Sequence, residues 1–332
     1  MTTLVTGGAG FIGSALIWAL NQRGRRDILV SDYLGNDEKW KNLPSLHFED
    51  YIEADQLLQA LDSPRLAGIE TIYHLGACSA TTEKDCSYLI RNNYEFTRQL
   101  ADWAIKSGRR FVYASSAATY GDGSAGMSDG SEKLHSYRPL NMYGYSKHLF
   151  DLHARSRGWL EHMVGLKYFN VFGPNEGHKG DMRSLVHKAF SQITETGRVK
   201  LFRSGHPDFK DGEQRRDFFY VKDAVAATIH LAEQPKAAGL YNLGSGVAST
   251  WIELVTPIFH ELSLPVDIEF IDLPEVLRGS YQYHTCADIA RLREAGSVGP
   301  GFSLDQAVRD YVANYLIPDR YLGGAPSADP ST

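Results

Sequence analysis

The chain has 332 residues, a formal net charge of −6 and three cysteines, and 43% of its residues are hydrophobic. This length predicts two domains, or one large domain with a lobe, in a soluble and cytoplasmic protein. The negative charge, the scattered cysteines and the lack of a signal peptide or a long apolar stretch argue against nucleic-acid, membrane, disulfide and metal-binding roles.

Short apolar runs alternate with longer helical patterns through the first half of the chain. The predicted helices between these runs are Phe11–Arg23 and Cys86–Ser107. Strands that are apolar throughout are typical of a parallel sheet covered on both faces, and their alternation with helices predicts an α/β fold with a doubly wound Rossmann sheet. The predicted strands are Thr3–Gly7, Asp27–Asp32, Thr71–Ala77, Arg110–Ser116 and Val164–Gly173.

The second half of the chain predicts a smaller domain that is discontinuous in sequence. A helical pattern at Lys222–Glu233 and a strand pattern at Leu240–Gly244 can return to the first sheet. We therefore expect a dinucleotide-binding domain from residues 1–172 and about 217–243, and an α/β substrate domain from residues 173–216 and 244–318. Residues 319–332 are rich in Gly, Pro and Ser, and we expect a disordered tail there.

A glycine-rich sequence, VTGGAGFIG, joins the first predicted strand to the first predicted helix. Gly7, Gly10 and Gly13 let the backbone turn sharply and approach a pyrophosphate at the positive end of the helix. Asp32 ends the next predicted strand, where a carboxylate normally binds the ribose 2′-hydroxyl of NAD. Lys39 follows closely and could neutralise the 2′-phosphate of NADP. The residues thus predict a dinucleotide site and leave NAD and NADP both open.

The sequence NMYGYSK places Tyr143 and Lys147 one turn apart on one face of a helix. A free tyrosine has a pKa of about 10, and a neighbouring ammonium group favours the phenolate. We therefore expect a lowered pKa at Tyr143 and proton exchange with a sugar hydroxyl group. Ser115 and Ser116 in ASSAATYG supply hydroxyl groups at the end of a predicted strand. The pair predicts oxidation or reduction of a hydroxyl carbon with bound NAD(P).

Several motifs together resemble a known superfamily. TGGAGFIG, SSAATYG, YGYSK, YFNVFGP and RRDFFYVKD are similar to the extended short-chain dehydrogenases/reductases, which mostly act on nucleotide-linked sugars. Within them, GACSATTE, NNY, NMYGYSK and GPNEGHKGDM resemble the family of ADP-heptose 6-epimerases, over about residues 1–316. The resemblance implies epimerisation at C6″ through a 6-keto sugar, for lipopolysaccharide core synthesis, with bound NADP. It also implies a homo-oligomer, by resemblance a pentamer.

The resemblance assigns roles to individual residues. Two acid/base groups, Tyr143 and Lys179, are implied, because hydride leaves one face of the carbon and returns to the other; Lys147 and Ser116 complete the catalytic set. Lys179 would need desolvation, which lowers its pKa, to act as a base. Implied cofactor contacts are Gly7, Gly10, Phe11, Ile12, Gly13, Asp32, Tyr33, Lys39, Leu75, Gly76, Ala77, Cys78, Ser79, Asn92, Tyr143, Lys147, Val171 and Lys179. Implied substrate contacts are Ser116, Asn170, Asp181, Lys188, Phe202, Arg203, Ser204, Gly205, Arg216 and Tyr281.

Some residues have a second interpretation. Lys179 is alternatively a solvated loop lysine, and Arg216 an ion-pair partner of an acid such as Asp223.

The sequence also departs from the family pattern at three places. A histidine expected after the GHKGDM motif falls at or beside His187 and Lys188, which leaves that substrate contact open. Asn175 stands where an arginine is usual, and a lysine often found near Glu53 is missing, which weakens the expectation of NADP.

Three other functions are compatible with parts of the sequence. A UDP-hexose 4-epimerase would share the Tyr143 and Lys147 pair but would not need the GHKG motif. A 4,6-dehydratase would have an Asp-Glu pair in place of Ala117 and Ala118. A non-enzymatic NAD(P) sensor would not require the intact tyrosine and lysine.

Overall fold

The computed structural model describes residues 2–275, 281–297 and 299–324 of the chain. The strands in this part are β1 (Thr2–Thr6), β2 (Ile28–Asp32), β3 (Asp50–Glu53), β4 (Ile69–His74), β5 (Arg110–Ser116), β6 (Met163–Tyr168), β7 (Asn170–Phe172), β8 (Val199–Phe202), β9 (Arg215–Tyr220), β10 (Gly239–Leu243), β11 (Ala248–Thr250) and β12 (Ile268–Ile271). The α-helices are α1 (Phe11–Gln22), α2 (Ala54–Leu57), α3 (Cys86–Leu89), α4 (Phe96–Lys106), α5 (Met142–Ser156), α6 (Leu185–Thr196), α7 (Val221–Glu233), α8 (Trp251–Glu261), α9 (Ala290–Glu294) and α10 (Leu304–Tyr311).

Short turns of other helical types connect these elements. The 3₁₀ turns are Glu38–Asn42, Leu58–Ala60, Pro64–Leu66, Ala117–Tyr120, Ser131–Ser136, Trp159–Glu161 and Gly177–Met182, and π-helical turns occupy Ile90–Glu95 and Val312–Leu316. None of the helices in the described ranges is long and apolar enough to cross a membrane.

The central sheet has seven strands in the order β3-β2-β1-β4-β5-β6-β10, and each neighbouring pair is parallel. Helices cover both faces, since α1 packs on α7 and the π turn preceding α4 packs on α5. Burial from both sides explains why β6 is buried along its whole length. The strand order reverses between β1 and β4, which opens a crevice at the carboxyl ends of the strands. The predicted α/β fold with a doubly wound sheet is confirmed.

The predicted elements of this sheet lie close to the observed ones, with three differences. The run from Val164 to Gly173 is not one strand, because Phe169 separates β6 from β7, which belongs to another sheet. The helix predicted over Cys86–Ser107 contains the π turn Ile90–Glu95. Strand β3 was not predicted, because Ile52 is its only fully buried residue and four residues show no clear hydrophobic period.

Two small sheets lie outside the central one. Strand β9 pairs with β7 in parallel and with β11 antiparallel, and β8 pairs with β12 in parallel. Helices α6, α8 and α10 pack together beside them. As the sequence predicted, α7 and β10 return the chain to the central sheet after β9.

The C-terminal segment begins with ordered packing. The side chain of Leu322 is fully buried, and its amide donates a 2.9 Å hydrogen bond to Oδ1 of Asn175. The expectation of disorder from residue 319 onward is therefore wrong for residues 319–324, because an apolar anchor precedes the Gly- and Pro-rich composition. Residues 325–332 lie outside the described residues.

Candidate active site

A cleft lies at the carboxyl ends of β1, β4 and β5, where the strand order reverses. It encloses about 470 Å³ between the glycine-rich loop, the N-terminal end of α5 and the turn that contains Lys179. A second pocket of about 320 Å³ continues from it toward β2 and β3. The two pockets share Gly7, Asp32, Lys39, Gly76, Ala77 and Cys78.

The glycine-rich loop is built for close backbone approach. Gly7 has a φ of +69°, and a Cβ there would lie 2.6 Å from the amide nitrogen of Gly76. A Cβ on Gly13 would lie 2.0 Å from the carbonyl oxygen of Gly7. Helix α1 begins at Phe11 without a side-chain cap, and its first turn lines the cleft, so its first amide groups are available to an anion. This cradle fits the pyrophosphate of a dinucleotide.

Asp32 organises the adenosine end of the cleft. Its carboxylate accepts hydrogen bonds from the amides of Ala9 (2.9 Å) and Gly10 (3.1 Å), and it pairs with Nζ of Lys39 at 3.0 Å. One carboxylate thus braces the glycine-rich loop and neutralises the nearby lysine. Tyr33 lines the second pocket.

The catalytic pair predicted from the sequence faces the cleft. Asn141 caps α5 by accepting a 2.8 Å hydrogen bond from the amide of Gly144, so Tyr143 lies in the first turn. Nζ of Lys147 donates to the carbonyl of Ala114 at 2.8 Å, and burial lowers the pKa of Lys147 to about 8. Ser116 lies at the end of β5 and lines the same cleft.

The pKa of Tyr143 shifts in the direction opposite to the one predicted. Burial raises the pKa of Tyr143, and a hydrogen bond with Ser116 opposes that rise only in part. The expected lowering of the Tyr143 pKa by Lys147 is wrong for this structure, because loss of solvent around the phenol dominates.

Lys179 lies in the cleft on a turn that follows β7. Its Nζ is 5.2 Å from the centre of the Phe11 ring, at the start of α1. Burial lowers the pKa of Lys179, while the charge of Glu176 opposes that change. Gly180, with a φ of +53°, lets the chain reverse directly after it. Lys179 is half-buried and lines the cleft, and its lowered pKa has the direction that the resemblance required of this lysine.

Glu176 is a residue of this turn whose role the sequence did not reveal. Its fully buried carboxylate accepts hydrogen bonds from the amide (2.5 Å) and hydroxyl (2.6 Å) of Ser184, the residue that caps α6. It also accepts from the amide of Gly173 at 3.3 Å. Glu176 therefore ties both ends of the Lys179 turn together. His178 and Met182, also not predicted, line the cleft.

All the predicted cofactor contacts line one of the two pockets. Tyr33 and Asn92 line the second pocket, and the following line the cleft: Gly7, Gly10, Phe11, Ile12, Gly13, Asp32, Lys39, Leu75, Gly76, Ala77, Cys78, Ser79, Tyr143, Lys147, Val171 and Lys179.

Apart from Ser116, the predicted substrate contacts lie outside the lining of both pockets. Lys188 donates to the carbonyl of Asp181 at 2.5 Å, and Asn170 donates to the carbonyl of Asp217 at 3.1 Å. The exposed Arg203 lies 3.5 Å from Asp211. Ser204 and Gly205 follow it in a turn, and Phe202 at the end of β8 is half-buried.

Arg216 and Tyr281 are brought together. The Arg216 guanidinium lies 5.2 Å from the Tyr281 ring and 5.5 Å from the Trp251 ring, and burial lowers the pKa of Arg216 to about 10. It donates to the carbonyls of Arg215 and Gln282 and forms no ion pair within the described ranges. The alternative pairing with Asp223 is wrong, because that carboxylate accepts from the amides of Gly301 and Phe302.

Comparison with known proteins identifies the class of protein to which this fold and this cleft belong. Residues 3–244 match the NAD dependent epimerase/dehydratase family, and the chain belongs to this family. The chain is 49% identical to the ADP-L-glycero-D-manno-heptose-6-epimerase of Nitratidesulfovibrio vulgaris, over 94% of this chain and 97% of that protein. It is 38% identical to the ADP-L-glycero-D-manno-heptose-6-epimerase of Pseudomonas aeruginosa, over 94% of this chain and 98% of that protein.

Solved structures show the same relationship. The ADP-L-glycero-D-manno-heptose-6-epimerase of Helicobacter pylori superposes with a TM-score of 0.78 at 28% identity, over 94% of this chain and 95% of that one. The UDP-N-acetylglucosamine 4-epimerase of Methanobrevibacter ruminantium has a TM-score of 0.80 at 24% identity, over 96% and 99% of the two chains. At that identity the second match supports the fold alone.

Proposed function

We propose that this protein converts ADP-D-glycero-D-manno-heptose to ADP-L-glycero-D-manno-heptose by inverting C6″, in the synthesis of lipopolysaccharide core heptose. The observation that supports this reaction best is the presence of two proton-exchanging side chains, Tyr143 and Lys179, in one cleft with the glycine-rich loop. Inversion of a carbon without an acidic proton needs removal of hydride and its return to the other face. The hydroxyl group lies on different sides of the carbon before and after inversion, and two separate acid/base groups can serve these two positions.

The cleft residues fit a nicotinamide dinucleotide. The cradle of Gly7, Gly13 and Gly76 and the uncapped start of α1 would hold the pyrophosphate, and Lys147 would hold the nicotinamide ribose. A nicotinamide held there would supply a reversible acceptor for the hydride of C6″. Ser116 would donate a hydrogen bond to the reacting oxygen of the sugar.

The proton chemistry is divided between the two bases. The lowered pKa of Lys179 increases the fraction of neutral amine near pH 7, so this side chain can accept a proton from the C6″ hydroxyl of one epimer. Tyr143, hydrogen-bonded to Ser116, holds its proton at neutral pH and can donate it to the oxygen of the other epimer. The reverse direction exchanges the two roles.

Arg216 supports a nucleotide-linked substrate. Arg216 is 7% exposed, and its guanidinium lies close to two aromatic rings, those of Trp251 and Tyr281. A buried cation of this kind is stabilised by an anion, and a planar guanidinium can bind two oxygens of a diphosphate at once. We therefore place the diphosphate of the substrate beside Arg216 and Tyr281.

The purified protein tests the reaction directly. Incubation with ADP-D-glycero-D-manno-heptose, followed by NMR of the C6″ configuration, should give a mixture of both epimers without added oxidant. UDP-glucose under the same conditions should remain unchanged. Conversion of UDP-glucose and not of the heptose would instead support a 4-epimerase.

The proposed homo-oligomer, by resemblance a pentamer, is measured on the same sample by light scattering.

We infer that the protein prefers NAD to NADP, in contrast to the resemblance, from the charges at the adenosine end of the cleft. Asp32 and Asp55 line the second pocket together with Tyr33, and Glu53 lies opposite Asp32 in the register of β2 and β3. Lys39 pairs with Asp32 at 3.0 Å. Burial and then the charges of Asp55 and Glu53 raise the pKa of Tyr33, as a negative field would. A 2′-phosphate adds about two negative charges to this region. We therefore expect the dianion to be repelled and the free 2′-hydroxyl of NAD to be preferred.

A charge reversal at Glu53 is expected to change the cofactor preference. With equal NAD and NADP in solution, the wild-type protein should retain mostly NAD, and Glu53→Lys should shift the bound ratio toward NADP by about 10-fold or more, because a repulsive charge becomes attractive. The cofactors are released by denaturation and quantified by mass spectrometry. Glu49→Lys, at the exposed approach to β3, is the matched control and should leave the ratio unchanged. A wild-type protein that retains mostly NADP would contradict the preference.

A further inference from the structure

Asn42 connects the cofactor loop to the turn that contains the catalytic lysine. Its side chain is 1% exposed and lies at the end of the 3₁₀ turn Glu38–Asn42. The Nδ2 group donates to the carbonyl of Ala9 at 2.9 Å and to the carbonyl of Asn175 at 3.1 Å. It is also 3.3 Å from Nδ1 of His178, the residue directly before Lys179. Because backbone carbonyls only accept, these contacts fix the orientation of the Asn42 amide.

Asn175 extends the same connection to two other segments. Its backbone has a φ of +75°, a conformation that asparagine tolerates better than most residues. Its side chain donates to the hydroxyl of Ser14 in α1 at 3.0 Å and accepts from the amide of Leu322 at 2.9 Å. The start of the Lys179 segment is thereby held against the helix that begins at the glycine-rich loop.

The position of Asn42 in the chain adds a link to the cofactor. Lys39, three residues earlier in the same 3₁₀ turn, lines the cleft and pairs with Asp32 at 3.0 Å. The turn Glu38–Asn42 also packs on the turn Gly177–Met182. A ligand that orders Lys39 would therefore order the segment to which His178 and Lys179 belong.

We propose that Asn42 is a positioning residue that holds Lys179 in register with the glycine-rich loop, so that occupation of the cofactor site fixes the catalytic lysine. Asn42 touches neither the reacting carbon nor the hydride in this scheme. It acts through the carbonyl of Asn175 and the ring of His178. The effect on turnover rests on the proposed function, whereas the effect on the Lys179 turn does not.

Hydrogen exchange measured by mass spectrometry tests the structural part. In Asn42→Ala, amides of residues 176–184 should exchange about 10-fold faster or more than in the wild type, because two buried carbonyls lose their donor. NAD should slow this exchange in the wild type and much less in the variant. Asn42→Ser, which keeps a small donor, should fall between them and serves if Asn42→Ala does not fold. Unchanged exchange at residues 176–184 in both variants would overturn the proposal.

A matched control separates positioning from general stability. Asn21 also donates through its side-chain amide to two backbone carbonyls, those of Arg25 (2.9 Å) and His47 (2.8 Å), at the far end of α1. Asn21→Ala removes the same kind of contact and should leave exchange at residues 176–184 at the wild-type rate. Equal acceleration in Asn21→Ala and Asn42→Ala would show a global effect and would also overturn the proposal.

Steady-state kinetics with the ADP-heptose test the catalytic part. Asn42→Ala should lower kcat about 10- to 100-fold and change KM for the sugar less than about 3-fold, because the base is displaced and the substrate contacts remain. A rise in KM with unchanged kcat would contradict the positioning role. If the wild-type protein does not turn over the heptose, the proposed function fails, and the exchange measurement still decides the role of Asn42.

Discussion

Lys179→Met is expected to reduce epimerisation of the ADP-heptose by about 10²- to 10⁴-fold, the range that one acid/base group contributes. The methionine keeps the length and apolar stem of the lysine and removes the amine that lies 5.2 Å from the Phe11 ring centre. Because burial already lowers the pKa of this amine, its loss removes a group that exchanges protons near neutral pH. The measurement is the initial rate of C6″ inversion, followed by NMR.

Two further variants make the Lys179 result specific. Tyr143→Phe should cause a loss of similar size, since each base serves one orientation of the hydroxyl group. Lys236→Met, at an exposed position between α7 and β10, should keep the wild-type rate. If Lys179→Met inverts the heptose within about twofold of the wild type, Tyr143 is the only base that the reaction needs.

Breaking the buried ion pair between Asp151 and Lys167 is expected to destabilise the fold by about 3–5 kcal/mol. Both side chains are fully buried, and their charged atoms are 2.7 Å apart. Asp151 also accepts hydrogen bonds from two residues of β5, Tyr113 (2.8 Å) and Ser115 (2.7 Å). Lys167→Met leaves a buried carboxylate without its cation, and the free energy of unfolding in urea should fall by that amount.

The exposed pair between Asp102 and Lys106 provides the comparison. Its charged atoms are 2.6 Å apart, closer than in the buried pair, but the Lys106 side chain is 74% exposed. Lys106→Met should change the free energy of unfolding by less than about 0.5 kcal/mol, because solvent screens the interaction. Equal losses of unfolding free energy in the two variants would show that burial does not determine how much an ion pair contributes to stability.

The parts of the site that the sequence predicted are those with short, fixed spacing. Gly7, Gly10 and Gly13 repeat within one strand-to-helix turn, and Tyr143 and Lys147 are one helical turn apart, so local geometry is enough to place them. Lys179 was identified by resemblance of its motif, and the structure adds the desolvation that its proposed chemistry needs.

The remaining features depend on contacts between distant parts of the chain. Asn42 and Asn175 are separated by 133 positions and meet only after the sheet has formed. The raised pKa of Tyr143 likewise reflects how much solvent the folded cleft excludes, which a pair of residues in sequence does not report. Among the predicted substrate contacts, Phe202 and Arg216 lie on strands of different small sheets. Their spacing in the sequence did not predict that both residues lie outside the lining of the two pockets.

Strand β3 also affects how this protein can associate. It forms one edge of the central sheet, and Arg65 lies against that edge, where its guanidinium donates to the carbonyl of Tyr51 at 2.6 Å and to Asp50 at 2.8 Å. A backbone acceptor that a foreign strand would need is thus occupied, and the charges of Asp50 and Arg65 stand where such a strand would have to lie. Edges protected in this way resist edge-to-edge aggregation. We therefore expect that the β3 edge does not extend the sheet into a second copy of the protein.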